Sequence, residues 1–263
     1  MSLSSNRAVA RVAALLALLT VAACSDSPLS PLAPTSPDFA RGGGGGGGGG
    51  KPPKPPKPTP THDPILFIHG YNGNSGTWTT MVNRFKADGW TDAELVNWSY
   101  NYRQSNATTA AQIKQKVDSI ISATGAAKVD IITHSMGPLS ARYYTRNLGG
   151  DGKVDALVSL GGANHGTSIA NFCFDTSCVE MRPNSTFLAN LNSIDETWGT
   201  PRYATWWSDC DEVISPHSSA LLSGGATNTQ TACISHSSLH EDAGVYQQVR
   251  DMVNTTTTLA MAP

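Results

Sequence analysis

The chain of 263 residues predicts an α/β protein: a mostly parallel, six-stranded sheet flanked by helices on both faces. Short apolar runs that read as buried strands alternate with longer stretches whose apolar residues recur at helical spacing. That alternation builds a sheet covered on both sides. Ligands of such sheets sit beyond the carboxyl ends of the strands. The polar, glycine-rich and histidine-bearing stretches of this chain fall there.

Taken in order, residues 64–69 (Pro-Ile-Leu-Phe-Ile-His) read as the first buried strand, and residues 70–76 as a polar, Gly-rich loop. Residues 78–87 predict a helix with Trp78, Met81, Val82 and Phe85 on one face, stopped by Gly89. Residues 94–98 are a second strand. Residues 107–123 are a helix with Ile113, Val117, Ile120 and Ile121 inward and Gly125 as its stop. Residues 129–133 are the third strand, 154–160 the fourth, 203–207 the fifth and 231–235 the sixth. The stretch 163–200 reads as irregular. Residues 245–253 close the pattern with a helix.

The third strand leads into Thr133-His134-Ser135-Met136-Gly137-Pro138, after which Leu139, Ala141, Tyr143, Tyr144 and Leu148 continue at helical spacing. Strand, tight turn, serine and helix make up the nucleophile elbow of the α/β-hydrolases. The turn is sharp, so positions two before and two after the serine need small residues. Gly137 meets that need. Thr133 replaces the first glycine of G-x-S-x-G.

Further stretches carry a resemblance. His62-Asp-Pro-Ile-Leu-Phe-Ile-His-Gly70, Val129 to Gly137, Ser159-Leu-Gly-Gly-Ala-Asn164, Asp211-Glu-Val-Ile214 and Asn228 to His236 occur in the right order. Over about residues 62–254 the chain resembles the minimal, lidless α/β-hydrolase lipases of the Bacillus lipase A type. Departures are Thr133, Tyr71 where the family often has a smaller apolar residue, and extra residues within 165–200.

Ester hydrolysis needs a nucleophile, a base, an acid that orients the base and donors for the oxyanion. Ser135 is the expected nucleophile. Chain order in this fold is Ser, then Asp or Glu, then His. His236 directly follows the sixth expected strand, and an ungapped match to the family pattern lands on it. His240, four residues on, is expected to be exposed or to cap the last helix. Asp211 matches the family's acid position. Asp209 is expected to serve a turn, and Asp195 and Glu196 to be solvated. The oxyanion hole should use the backbone N–H groups of Met136 and Tyr71. His69 and His134 beside them should pack and hold the loops.

Cys173, Cys178, Cys210 and Cys233 allow three disulfide pairings. Cys173–Cys178 would pin a short loop. Cys210–Cys233 would join the acid's loop to the residues leading to His236. That pairing is the expectation. No C-x-x-C or H-x-x-x-H pair with a third ligand supports zinc, so neither metal nor cofactor is expected. Phe172, Phe174, Phe187, Leu188 and Trp198 would either shape an acyl pocket or only cover the sheet. The stretch is too short for a large lid, and little activation at a lipid–water interface is expected.

Residues 1–24 read as an export signal. Arg7 and Arg11 precede an apolar run over residues 12–23, shorter than the ~20 residues a membrane span needs. It ends Val21-Ala22-Ala23-Cys24, which resembles a lipobox and implies lipidation of Cys24 as a membrane anchor. Residues 25–60 read as a flexible Gly/Pro-rich linker, with an unbroken run over 42–50. The catalytic domain is expected over 61–263. Net charge is −2 and only 14% of residues are charged. That argues against a nucleic-acid partner and fits an exported protein, expected to be a monomer. The function classes are a carboxylic-ester hydrolase for acylglycerols or simple esters; a polyester depolymerase, thioesterase or amidase with the same triad; and a non-catalytic tethered binding module.

Overall fold

The computed structural model describes residues 60–255. The signal, Cys24 and nearly all of the linker lie outside the described residues. Six strands form one sheet: β1 (Ile65–Ile68), β2 (Leu95–Asn97), β3 (Val129–His134), β4 (Val154–Leu160), β5 (Arg202–Trp207) and β6 (Thr227–Gln230). Their spatial order is β2-β1-β3-β4-β5-β6, and every pairing is parallel. From β1 the chain steps outward to β2 and then returns to the other side of β1 as β3. The order therefore reverses between β1 and β3, which opens a crevice at their carboxyl ends.

Helices α1 (Thr79–Ala87), α2 (Asn106–Thr124), α3 (Gly137–Asn147), α4 (Thr176–Glu180), α5 (Thr186–Asn192) and α6 (Ala243–Asn254) complete the described fold. Alternation along each strand divides the core in two. Ile65 and Phe67 face one side, where Trp78, Met81 and Phe85 meet Val245 and Val249 of α6. Leu66 and Ile68 face the other, against Ile113 and Val117 of α2 and Tyr144 of α3. A third apolar cluster lies under residues 163–200, where Met136 and Leu139 pack with Met181, Leu188, Leu191 and Ile214.

Two expectations about the secondary structure need correction. The sixth strand is residues 227–230, four residues earlier than predicted. Asn228 anchors it there: its amide oxygen accepts from Thr205 Oγ1 at 2.8 Å and from Leu222 N–H at 2.9 Å. The apolar Ile234, which suggested a strand, packs instead against the α1/α6 face of the core. The stretch 163–200 is also not irregular throughout. It holds a 3-10 turn (Ser168–Phe172), α4 and α5, each too short for periodicity to reveal.

That stretch is fastened to α3 by buried Arg142, which donates to the Glu196 carbonyl at 3.1 Å and to Asn192 Oδ1 at 2.7 Å. Burial lowers the Arg142 pKa to about 10. Glu196 is not solvated as expected. It pairs with His165 at 2.8 Å and accepts from Ser223 N–H at 2.7 Å. Burial opposes its ionisation, but these contacts outweigh it and hold the carboxyl at about 2.

Ile113 is fully buried between α2 and the sheet. Ile113→Ala should cost about 2–5 kcal/mol. Urea denaturation followed by tryptophan fluorescence should show the midpoint fall with an unchanged m-value.

Candidate active site

Ser135 directly follows β3 with φ = 58°, a left-handed conformation that non-glycine residues adopt rarely. Its N–H donates to the Leu160 carbonyl at 3.0 Å, and its carbonyl accepts from Ala163 N–H at 2.8 Å. The reversal into α3 brings the chain hard against β1. A β-carbon at position 137 would lie 2.7 Å from the Ile68 carbonyl oxygen, and one at position 70 would lie 2.6 Å from Ser135 Cβ. Thr133, which stands in place of glycine, is fully buried with its hydroxyl donating to the Val158 carbonyl at 2.7 Å.

Asp211 and His236 meet in the interior, with Oδ2 and Nδ1 2.8 Å apart. The other Asp211 oxygen accepts from Val213 N–H at 2.9 Å and Ile214 N–H at 2.8 Å. Burial alone would raise this pKa. The hydrogen bond from His236 and the two N–H groups outweigh it and hold the carboxyl below the usual range. With Nδ1 engaged, Nε2 is the ring nitrogen left for the serine. Ser135 and His236 line the same pocket. Ser135 Oγ has no hydrogen-bond partner among the described residues, and nucleophile–base contacts of this kind often tighten only when substrate binds.

The loops behind this pair are stapled together. The Cys173–Cys178 and Cys210–Cys233 disulfides are both formed. The second links the residue before Asp211 to the approach to His236. Ser208 Oγ adds a bridge, accepting from the N–H groups of Cys210 and Ile234, each at 3.0 Å.

Two contributors, Gly161 and Glu212, were missed by sequence reasoning, and a third, His134, does what was expected of it and holds a loop. Gly161 has φ = 50°, and a β-carbon there would stand 2.9 Å from Asp211 Oδ2 and 3.2 Å from His236 Nδ1. Its signal was the Ser-Leu-Gly-Gly stretch, whose first glycine leaves room for Asp211 and His236. Glu212 accepts from His236 N–H at 3.0 Å. His134 Nε2 donates to the His236 carbonyl at 3.0 Å, which assigns the proton to that nitrogen. Burial first, then the adjacent His236 and His240, push His134 well below the usual imidazole range.

His240 is not exposed. It is buried, packed edge-on against His134 at 4.7 Å and tilted against Trp78 at 5.8 Å. No described carboxylate hydrogen-bonds to it, and burial lowers its pKa. Asp209 is exposed and accepts from Gln230 at 2.6 Å. His69 stacks on Tyr100 at 4.0 Å, and Tyr100 Oη donates to the His69 carbonyl at 2.6 Å. The N–H groups of Tyr71 and Met136 have no acceptor among the described residues.

The pocket holds about 440 Å³ and is lined by Tyr71, Thr77, Ser135 and His236 and by apolar Ile169, Ala170, Met181 and Val213. Of the aromatic residues expected here, only Phe172 lines it. Phe187 stacks on Tyr143 at 5.6 Å, and Arg146 sits over Trp198. Phe172 and Phe174 are 82% and 83% exposed. A larger depression of about 600 Å³ borders Arg202 and Gln248, with no serine, cysteine, histidine or carboxylate on it, so size does not decide between them. Asp63, Asp130 and Asp155 bring carboxylate oxygens within 4.8 Å of one another. They gather at the opposite, amino-terminal end of the strands, where Arg202 pairs with Asp155.

An elbow serine, an Asp–His pair and a switch-point pocket on a parallel sheet define an α/β-hydrolase. The chain matches the family Lipase (class 2) over residues 62–258 and belongs to it. It is an ester hydrolase of the lipase/esterase class, acting on ester or lipid substrates. The fold is shared with the mature lipase BlEst2 of Bacillus licheniformis at TM-score 0.66 and 16% identity, over 76% of this chain and 96% of that one. Lipase B of Aspergillus fumigatus gives TM-score 0.65 and 16% identity over 73% and 52% of the two chains. A Listeria innocua gene product gives TM-score 0.59 and 14% identity over 75% and 96%. The two disulfides fit an exported protein.

Gly161→Ala should push Asp211 and His236 apart. Its kcat should fall at least about 10-fold, because small misplacements of reacting groups are costly in rate, with KM little changed in steady-state assays. Stability should also depend on pH through His134. Its folded pKa lies below the ordinary 6.5, so below that pH the unfolded chain binds the proton and the folded chain does not. Stability therefore falls as pH falls. Between pH 7.5 and 5.5 the wild type should lose about 1 kcal/mol more than His134→Gln. Urea denaturation of both at the two pH values checks this, with the opposing His165 contribution common to each.

Proposed function

We propose that this chain is a serine carboxylic-ester hydrolase that cleaves acylglycerols or simple esters through an acyl-enzyme on Ser135. The observation that carries the reading is the buried Asp211–His236 contact at 2.8 Å beside a serine held at an elbow. Ser135 Oγ attacks the carbonyl carbon while His236 Nε2 takes its proton. Asp211 holds the imidazole by Nδ1 and stabilises the imidazolium that forms. Negative charge gathers on the former carbonyl oxygen, where the N–H groups of Tyr71 and Met136 donate to it. Collapse breaks the C–O bond to the alcohol, and His236 returns the proton to the departing oxygen. Water then attacks the acyl-enzyme by the same route and frees Ser135.

The apolar side of the pocket, with Ile169, Ala170, Met181 and Val213, suits an acyl chain. Polyesters, thioesters and amides would use the same steps. A non-catalytic module would have no need of a hydroxyl, an imidazole and a buried carboxylate gathered at one rim. The chain would act as a monomer without nucleic acid. Its organisation would be signal over 1–24, linker over 25–60 and catalytic domain over 61–263, tethered to a membrane through lipidated Cys24. The tether rests on the sequence around Cys24, and an acyl mass on the mature amino terminus tests it.

Ser135→Ala and His236→Ala should each lower kcat by about 10⁴-fold or more while remaining folded by circular dichroism. A fluorophosphonate probe should label the wild type at Ser135. His240→Ala should keep that labelling; its loss there, with labelling kept in His236→Ala, would reverse the assignment of the base. A chain-length series of nitrophenyl esters beside triolein and a polyester film then sorts the substrate classes.

A further inference from the structure

We infer that Tyr71 and Asp175 form a latch that sets the oxyanion-hole loop, so that both are positioning residues for acyl transfer; this rests on the reading of Tyr71 N–H as an oxyanion donor. Tyr71 Oη donates to Asp175 Oδ2 at 2.5 Å. The two residues are 104 positions apart. One end of Tyr71 is therefore held by the 163–200 stretch, while Tyr71 also lines the pocket that Ser135 lines.

The use of Asp175 is unusual. It occupies the N-cap of α4, yet its side chain makes no capping hydrogen bond. Capping is what an aspartate at this position normally does. Ser105, Thr167, Ser185 and Asp242 all cap their own helices or turns here. Asp175 instead commits its carboxylate to Tyr71, with Arg103 Nε 3.9 Å away.

The base of the latch is well anchored. Cys173–Cys178 closes a short loop around Asp175. Ser177 Oγ donates to the Tyr102 carbonyl at 2.6 Å. Glu180 accepts from Asn106 N–H at 2.7 Å and Ser105 Oγ at 2.5 Å, so it caps α2. Tyr102 also meets the Tyr71 ring edge-on at 4.9 Å.

The loop being held needs an external constraint. Asn72, the next residue, has φ = 59°, a conformation favourable to few side chains. A loop with a left-handed residue beside the donor has other conformations within reach. A hydrogen bond from a braced helix selects one of them. The donor is then aimed before charge develops, which is the condition for effective oxyanion stabilisation.

The test compares wild type, Tyr71→Phe, Asp175→Asn and the double variant. Each is measured for kcat and KM on a soluble nitrophenyl ester and for Ki of an alkylboronic acid, with thermal melts to show folding. The latch predicts that each single variant loses about 10-fold in kcat, less than the 10²–10³ lost when an oxyanion donor is removed outright. KM should stay within twofold, and the boronate Ki should rise by the same factor as kcat falls. The double variant should be no worse than either single one. Single variants with kcat and Ki within twofold of wild type, losses confined to KM, or losses that multiply in the double variant would each overturn the latch. Fluorophosphonate labelling of wild-type Ser135 is the control. Its absence overturns the serine-hydrolase reading and the latch with it; its presence with unchanged variants overturns the latch alone.

Discussion

The reversal of the chain at Ser135 is the constraint around which the rest is arranged. A residue with a side chain is held at φ = 58°, at a cost of order 1–3 kcal/mol. The surroundings make any other course worse. Ser135 is hydrogen-bonded through both its N–H and its carbonyl to β4 and the turn after it. Straightening it would break both bonds and pull α3 away from the sheet. The same reversal dictates what its neighbours can be. Position 70 must lack a β-carbon because Ser135 Cβ fills that space, and position 137 must lack one because the Ile68 carbonyl does. The placing of the Ser135 hydroxyl at the pocket and the loop set against it are therefore consequences of one tight turn.

Support for His236 is layered in the same way. Asp211 and His236 lie in different loops, joined by the Cys210–Cys233 disulfide and by Ser208. Glu212 holds the His236 N–H and His134 holds its carbonyl. Both backbone groups of His236 are thus tied, and its ring is tied through Nδ1. His134 can serve only as a neutral donor, because burial and two neighbouring imidazoles disfavour a charge on it. A histidine next to the serine in sequence invites a chemical role. Its hydrogen bond to a carbonyl gives it a mechanical one, in line with the expectation that it packs and holds a loop.

Legibility in the sequence followed the range of the forces involved. The runs at 64–69 and 129–133 were readable because a strand buried on both faces is apolar throughout. The helix over 106–124 was readable to within a residue at each end, because its inward residues repeat at the helical period. The last strand was misplaced because β6 is a polar edge, fixed by Asn228 reaching to Thr205 and Leu222. No local pattern announces that. Glu196 looked solvated because its partner His165 is 31 residues away. His240 looked peripheral because only the packed structure brings Trp78 and His134 against it. Local order was visible; partners chosen across the fold were not.

The stretch 163–200 shows how such long-range choices shape access to the pocket. It is anchored on α3 by Arg142, pinned by the His165–Glu196 pair and closed on itself by Cys173–Cys178. Its apolar residues Met181, Leu188 and Leu191 are buried against Met136 and Leu139. A segment held at this many points acts as a wall, since lifting it would expose an apolar cluster and leave a guanidinium without its acceptors. Phe172 and Phe174 face outward, and Phe172 borders the pocket itself. The shape of the pocket is thus settled when the chain folds, and substrate meets a wall with an aromatic rim.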